Sequence, residues 1–306
     1  MTTALDLRER LAGAVWGHLV ADAMGVPYEF APPTAIISVQ WGHTGTHGQP
    51  PGTWSDDGGL MLALLDSLLS VGFEVADQGR RALAWRDGPD YKPGNRFDIG
   101  PTTRKALAAL ADGTPAEIAG GHREHDNGNG SLMRILPVAL VGRDSGPVML
   151  VRQSMQASSL THRHATAQLT CALYVLIAQQ LLRGQTELEV ALASAHQTLA
   201  STIDETMRVE LSKIMAFDQR TGSGYVVDTF WSAWDALRGA VDYRDAVVRA
   251  IRFGNDTDTT ACVAGGLAGI IWGVGGIPPE WLRSMRGQAT VEPLVARLVG
   301  ADLADQ

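Results

Sequence analysis

Seven residues, Gly254-Asn255-Asp256-Thr257-Asp258-Thr259-Thr260, set two carboxylates and three hydroxyls directly before a long apolar run. Hard oxygen donors at that density suit a divalent cation such as Mg²⁺ or Mn²⁺. On a regular helix Asp256 and Asp258 would point about 200° apart, whereas on a turn leading into a helix both can converge on one point, with Thr259 or Thr260 as the cap. A plain helix N-terminus is the competing reading, because Asp and Thr are favoured caps and suit the positive end of the helix dipole. One Asp and one Thr would satisfy it, so the surplus favours a metal. About 200 residues earlier, Thr53-Trp54-Ser55-Asp56-Asp57-Gly58-Gly59 repeats the pattern ahead of Leu60-Met61-Leu62-Ala63-Leu64-Leu65. Adjacent carboxylates raise each other's pKa, and a bound divalent cation removes that penalty. Four Asp with Ser and Thr oxygens suffice for two six-coordinate ions that keep several waters, so the two acidic helix entrances predict one shared site.

Other segments carry chemistry of their own. Asp126-Asn127-Gly128-Asn129-Gly130-Ser131 is the strongest loop signal in the chain, and its glycines at a helix entrance fit a phosphate cradle, where free N–H groups meet an anion. His122, His125 and Asp126 match the His-Asp pairing of all-helical metal phosphohydrolases, but that reading needs further His ligands from other helices, and a solvated face is the favoured explanation of His122-Arg123-Glu124-His125. An Asp-Asp-x-x-Asp prenyl-transfer motif is excluded, since Leu60 stands where the third Asp belongs. His164 reads as a helix cap. Trp54, Tyr91 and Tyr225 are candidate walls for a flat ring, with core packing the alternative for Trp54.

These motifs together resemble the ADP-ribosylglycohydrolases, the family of the dinitrogenase reductase-activating glycohydrolase and the eukaryotic ADP-ribosylhydrolases. The resemblance runs through Gly13-Ala14-Val15-Trp16-Gly17, Asp22-Ala23-Met24-Gly25-Val26-Pro27-Tyr28-Glu29-Phe30, Ser55-Asp56-Asp57, Phe97-Asp98-Ile99-Gly100, Asn129-Gly130-Ser131-Leu132-Met133-Arg134, Thr161-His162 and the Gly254 to Gly269 segment. It implies a single domain over 1–306 with its core at about 8–285, folded as a compact orthogonal bundle of helices around a binuclear metal cleft. It implies cleavage of the glycosidic bond at the anomeric carbon of an ADP-ribosyl group on a protein side chain or small conjugate, a modified nucleobase staying open as target. Ser55, Asp56, Asp57, Asp256, Asp258 and Thr259 become ligands of two Mg²⁺ or Mn²⁺ ions, and Glu29 contacts metal or water on the substrate side. Asp57 and Asp98 join Glu29 as catalytic groups; Asp98 stands near the leaving group and favours arginine, because a carboxylate and a guanidinium pair bidentately. Asn129, Gly130, Ser131 and His162 bind substrate. The family usually has Thr where Gly58 follows the Asp pair. That departure motivates an alternative, a catalytically silent ADP-ribose binder of the same fold.

The elements that must position these groups are helical. Leu7, Leu11, Val15 and Leu19 recur every four residues and predict a helix over 5–24. Residues 26–54, with five prolines and several glycines, read as a long loop, and loops of that length are usually functional. Further helices are expected at 59–71, 75–86, 102–112, 131–142, 147–159, 164–183, 186–200, 203–217, 226–239, 243–253, 259–273 and 279–286. Strand-like alternation is nearly absent, which predicts an all-α domain.

The chain has 306 residues, 45% of them hydrophobic, enough for a sizeable core. Its net charge of −8 argues against general nucleic-acid binding, which needs many phosphate contacts. Only Cys171 and Cys262 occur, both in apolar stretches, and read as buried hydrophobes in a reducing cytoplasm. The charged start, Met1 to Arg10, is unlike a signal peptide. Thr259 to Pro279 carries no charge, but the Gly275-Gly276 and Pro278-Pro279 breaks and the lack of a basic flank favour a central core helix over a membrane span.

Overall fold

The computed structural model describes residues 5–300; residues 1–4 and 301–306, within the expected 1–306 domain, lie outside the described residues. The described residues form fourteen α-helices and several 3₁₀ turns joined by irregular segments, with two isolated β-bridges and no strand, so the all-α expectation holds.

Two helices form the axis. α1 (Leu7–Gly25) begins at Asp6, whose side chain accepts from the Arg8 N–H, and is almost wholly buried from Leu11 onward. α12 (Thr257–Trp272) is buried from Thr257 to Ile270, as expected for the uncharged segment. The two backbones meet where neither has side chains: a Cβ added to Gly17 would lie 2.6 Å from the Gly265 carbonyl oxygen, and Gly13 meets Gly269 still more tightly. Only glycine permits that approach. Tyr243, on α11 (Tyr243–Ile251), seals the contact with a 2.6 Å hydrogen bond from its hydroxyl to the Gly17 carbonyl.

Around this axis pack α2 (Asp56–Val71), α5 (Leu136–Val141), α7 (Ala165–Leu182) and α10 (Val226–Arg238), whose buried aliphatic and aromatic side chains join those of α1 and α12 in one core. Each buried Leu or Val there contributes about 1.5–3 kcal/mol from apolar burial. α7 is long and apolar enough to cross a membrane by length and composition, but 83% of that stretch is buried inside the fold, as befits a core helix. α3 (Val75–Asp87), α4 (Pro101–Ala111), α6 (Pro147–Ser159), α8 (Leu188–Thr202), α9 (Glu205–Met215), α13 (Pro279–Arg283) and α14 (Gln288–Gly300) complete the set.

Three expectations need correction. The helix expected over 131–142 is a 3₁₀ turn at Leu132–Arg134 followed by α5, because Pro137 allows a helix to start but not to pass through. Neither Thr259 nor Thr260 caps α12; Asp256 occupies the N-cap position, without a side-chain capping bond. α14 was not expected at all, although Val291, Leu294 and Leu298 are buried on one of its faces and Pro293 lies in its first turns.

Candidate active site

Seven carboxylates from distant parts of the chain gather where α1, α2 and α12 meet the 26–54 loop. Asp22, in the last turns of α1, accepts hydrogen bonds from the backbone N–H groups of Ser55 (3.0 Å) and Gly58 (2.8 Å), and so adds to the capping of α2 that Ser55 provides. Ser55 is the residue before α2; its hydroxyl accepts from the Asp57 N–H at 3.2 Å and donates to Asp57 Oδ2 at 3.0 Å. Asp57 Oδ1 receives the Cys262 thiol from α12 at 3.1 Å, which ties the two acidic entrances together. Gly58 is fitted to this packing: a Cβ there would lie 2.6 Å from Leu19 and 2.8 Å from the Trp54 ring. Asp56 and Asp57, just before Gly58, both line the cavity that opens over this site.

On the α12 side, ligand atoms of Asp256, Asp258 and Glu29 lie within 4.8 Å of one another, so the turn does converge Asp256 and Asp258. A second group within the same reach is Glu29, His47 and Asp98. Glu29 belongs to both. Asp98, expected at the leaving group, is thus brought beside Glu29. Its backbone is left-handed, φ +44°, as are Phe30 (φ +65°) and Asn255 (φ +58°) next to the site. The Phe30 N–H donates to the Asn255 carbonyl at 2.6 Å, which joins the loop to the α12 entrance. Non-glycine residues in that region are strained, and such strain tends to collect at functional sites.

A cavity of about 270 Å³ opens over these groups, lined by Glu29, Asp56, Asp57, Asp98, Asp256 and Thr259 on one side and Gly128, Asn129, Gly130 and His162 on the other. Its size is at the low end for small-molecule sites, so a nucleotide-sized ligand would sit only partly inside it. Among the described residues no Lys or Arg lines it. Burial and mutual repulsion accordingly push the carboxyls up. Glu29 reaches about 10, through burial first and then Asp98 and Asp256; Asp57 reaches about 7, through burial and then Asp256. Asp22, Asp56 and Asp258 are raised well above the carboxylate range, chiefly by burial. Buried Asp258 Oδ2 has no hydrogen-bond partner. An orphaned carboxylate oxygen among like charges fits a divalent cation, the counter-charge the protein itself lacks.

Several expected site residues take other places. Ser131 does not line the cavity; it is fully buried, and its hydroxyl meets Ser158 at 2.9 Å and the Cys171 thiol at 3.4 Å. Asn129 lines the cavity, but both hydrogens of its side-chain amide are engaged, by Thr229 at 3.0 Å and by Asp256 Oδ2 at 2.9 Å, so it braces the Asp256 carboxylate. Gly130 lies open to the cavity against Thr103 and His162. Trp54 is core, donating to the Tyr91 carbonyl at 3.0 Å. The Tyr91 hydroxyl donates to Asp66, and Tyr225 precedes α10; neither lines the cavity. His122 and His125 are exposed and belong to neither acidic group. His164 caps α7 as expected, accepting from the Thr166 N–H.

Two residues were missed by sequence reasoning. His47, which contacts Glu29, is a lone His in a Pro/Gly-rich loop, with no pattern to mark it. Asp22 did carry a signal, a carboxylate in a run of otherwise apolar helix.

The raised carboxyls give a pH test. A carboxyl whose folded pKa exceeds its unfolded value binds more protons when folded, so its contribution to stability falls as pH rises from about 4 through the folded pKa. Asp66, Asp77 and Asp228, held low by hydrogen bonds that outweigh burial, act oppositely and lose stabilisation below that range. The metal-free protein should therefore melt lower at about pH 8 than at about pH 5.5, and Mg²⁺ or Mn²⁺ should flatten the difference. Calorimetric melts with and without chelator decide; a metal-free melting temperature that rises over this interval would contradict the cluster's electrostatics.

An all-helical scaffold thus holds an acidic cavity whose lining includes Gly128 and Gly130. The family model for ADP-ribosylglycohydrolase matches residues 3–306, and the chain belongs to that family, hydrolases that act on glycosidic bonds. It is 32% identical over 299 residues to the ADP-ribosylarginine hydrolase Tri1 of Pseudomonas putida (strain GB-1), covering 95% of this chain and 78% of that protein. Against the ADP-ribosyl-[dinitrogen reductase] glycohydrolase of Rhodospirillum rubrum it is 28% identical over 312 residues, covering 99% and 98%. A solved structure described as an ADP-ribosylglycohydrolase-related protein complex superposes with a TM-score of 0.79 at 30% identity, covering 96% of this chain and 98% of that one.

Proposed function

We propose that this protein removes ADP-ribose from modified arginine side chains by hydrolysing the bond at the anomeric carbon, with two divalent cations, Mg²⁺ or Mn²⁺, in the acidic cavity. The observation that carries the reading is the gathering of Glu29, Asp56, Asp57, Asp98, Asp256 and Asp258 in and around one cavity that no Lys or Arg lines among the described residues. Breaking a glycosidic bond builds positive charge on the ribose, and an anionic wall lowers that barrier. Asp256, Asp258 and Glu29 would hold one ion, and Ser55, Asp56, Asp57 and Thr259 would complete the ligand set. Bound there, the ions would orient the ribose hydroxyls and lower the pKa of a bound water. Glu29, shared by both acidic groups, stands where it can orient that water. Asp98 takes the leaving-group side, and a carboxylate there suits a guanidinium. Gly128, Gly130 and His162 form the wall for the phosphates. The arginine preference draws further support from the relatives named for ADP-ribosylarginine and ADP-ribosyl-dinitrogen-reductase.

The test is a panel of ADP-ribosylated arginine, serine and nucleobase substrates, each incubated with Mg²⁺, with Mn²⁺ and with chelator. Release of ADP-ribose from arginine with metal, abolished by chelator, is the expected result. Metal should also stabilise the fold, by about 2.7 kcal/mol when free ion is a hundredfold above its dissociation constant. Tight binding of ADP-ribose without release from any substrate would favour the silent binder and sink the hydrolase reading.

A further inference from the structure

Arg134 is a buried guanidinium, and among the described residues no carboxylate pairs with it. Its Nη2 donates to the Ala157 carbonyl at 3.1 Å and to Thr161 Oγ1 at 2.7 Å. Thr161 Oγ1 in turn lies 2.9 Å from His162 Nδ1, and His162 lines the cavity. Resting on the functional reading above, we propose that Arg134, acting through Thr161, holds His162 as the neutral Nε2–H tautomer, which donates a hydrogen bond into the cavity to an anionic diphosphate oxygen.

The direction of each bond follows from chemistry. A guanidinium can only donate, so Thr161 Oγ1 is the acceptor in that contact and its own hydrogen remains to be placed. Thr161 is buried, and among the described residues its hydroxyl meets no acceptor except His162 Nδ1. A buried O–H left unpaired would cost more than the bond it can make, so the hydroxyl donates and Nδ1 accepts. A neutral imidazole with an accepting Nδ1 carries its proton on Nε2. Burial, and then the charge of Arg134, hold this imidazole at about 3, so the ring is neutral near pH 7. Nε2 has no partner among the described protein groups, and a Cβ added to Gly128 would lie 3.4 Å from it. Glycine at 128 and 130 thus leaves that edge of the ring uncovered. Burial lowers Arg134 only to about 10, so it stays charged, and an anionic ligand on the far side of His162 supplies the counter-charge that the protein withholds. Arg134 and Thr161 are positioning residues; neither lines the cavity.

Histidine ¹⁵N–¹H correlation spectra of the full-length protein read the tautomer directly, with the His162 signals assigned by their loss in His162→Gln. Wild type should show a protonated Nε2 and a bare Nδ1. Thr161→Val, which keeps the shape and removes the hydroxyl, should mix the tautomers and weaken ADP-ribose binding about tenfold by calorimetry, the worth of one hydrogen bond. Thr161→Ser should restore both, and Arg134→Lys, which keeps a charged donor, should hold the tautomer where a poorly folding Arg134→Leu is uninformative. An Nδ1–H ring in wild type that still binds ADP-ribose, or Thr161→Val unchanged in both readouts, would overturn this inference alone. An Nε2–H ring in a protein that binds no ADP-ribose with or without Mg²⁺ would overturn the ligand assignment and the functional reading together.

Discussion

Asp98→Asn should slow single-turnover release of ADP-ribose from arginine at least about a hundredfold, the lower range for loss of a general acid–base group. The substitution keeps the shape and removes both the charge and the proton-carrying capacity. A helix-capping role would tolerate Asn, but Asp98 does not cap α4: Gly100 precedes that helix, and no side-chain capping bond is made there. Burial first and Asp256 second raise the Asp98 carboxyl, which suits a group that hands a proton to a departing guanidinium. Because Asp98 also lies within ligand reach of Glu29 and His47, Mg²⁺ titration calorimetry on the same variant is the necessary companion. A slow enzyme with wild-type metal affinity assigns Asp98 to the leaving group; a matching loss of metal makes it a ligand; an unchanged rate on arginine-linked and serine-linked substrates rules out both roles. An equal loss on the two substrates would point to positioning rather than recognition of arginine.

Gly269→Val should cost about 3 kcal/mol or more of folding stability, the upper range for overpacking. The first atom of the new side chain would run into the Gly13 carbonyl, and main chain cannot swing aside as a flexible side chain can. Gly94→Ala, with nothing within 4 Å of the added Cβ, is the matched control and should stay within about 0.5 kcal/mol. Urea midpoints for the three proteins check the pair, and a Gly269→Val midpoint equal to the control would show that α1 and α12 can part without loss. Activity should fall with stability, since Asp22 and Asp258 ride on the same two helices.

Much of the scaffold was legible because its helices are long and their ends are marked. Leu7, Leu11, Val15 and Leu19 announce α1, and the acidic entrances announce α2 and α12. Where Pro stands inside or beside a helix, periodicity misled: Pro137 divides an expected helix and Pro293 masked a real one. The site was legible to the extent that its chemistry is local. Asp56, Asp57, Asp256 and Asp258 betray themselves by crowding, whereas His47 acts only through its meeting with Glu29 across a loop, which no spacing records. Ser131 shows the converse. Its place beside Gly130 suggested a phosphate contact, but the 3₁₀ turn that follows directs the hydroxyl inward to Ser158 and Cys171. Asn129 was read as part of a phosphate cradle; what the structure adds, and the sequence could not contain, is the carboxylate 127 residues away that its amide holds.

Gly25 makes the final contact between α1 and α12. A Cβ there would lie 2.6 Å from the Thr257 carbonyl oxygen and 2.7 Å from the Asp258 nitrogen, so the chain that carries Asp258 lies directly on the end of the helix that carries Asp22. The repulsion among these carboxylates consequently pushes against a part of the molecule with no independent way to yield: separating them means opening the core, at the full free energy of unfolding rather than of a local fluctuation. Glu29 and His47 lie on the loop above this floor, which is tied to the α12 entrance by the Phe30 N–H to the Asn255 carbonyl and by the Asn255 N–H to the Ala31 carbonyl. Glu29 belongs to the loop and yet lies within ligand reach of Asp256 and Asp258, so a substitution that shifts the loop around it reaches the carboxylates of the floor as well.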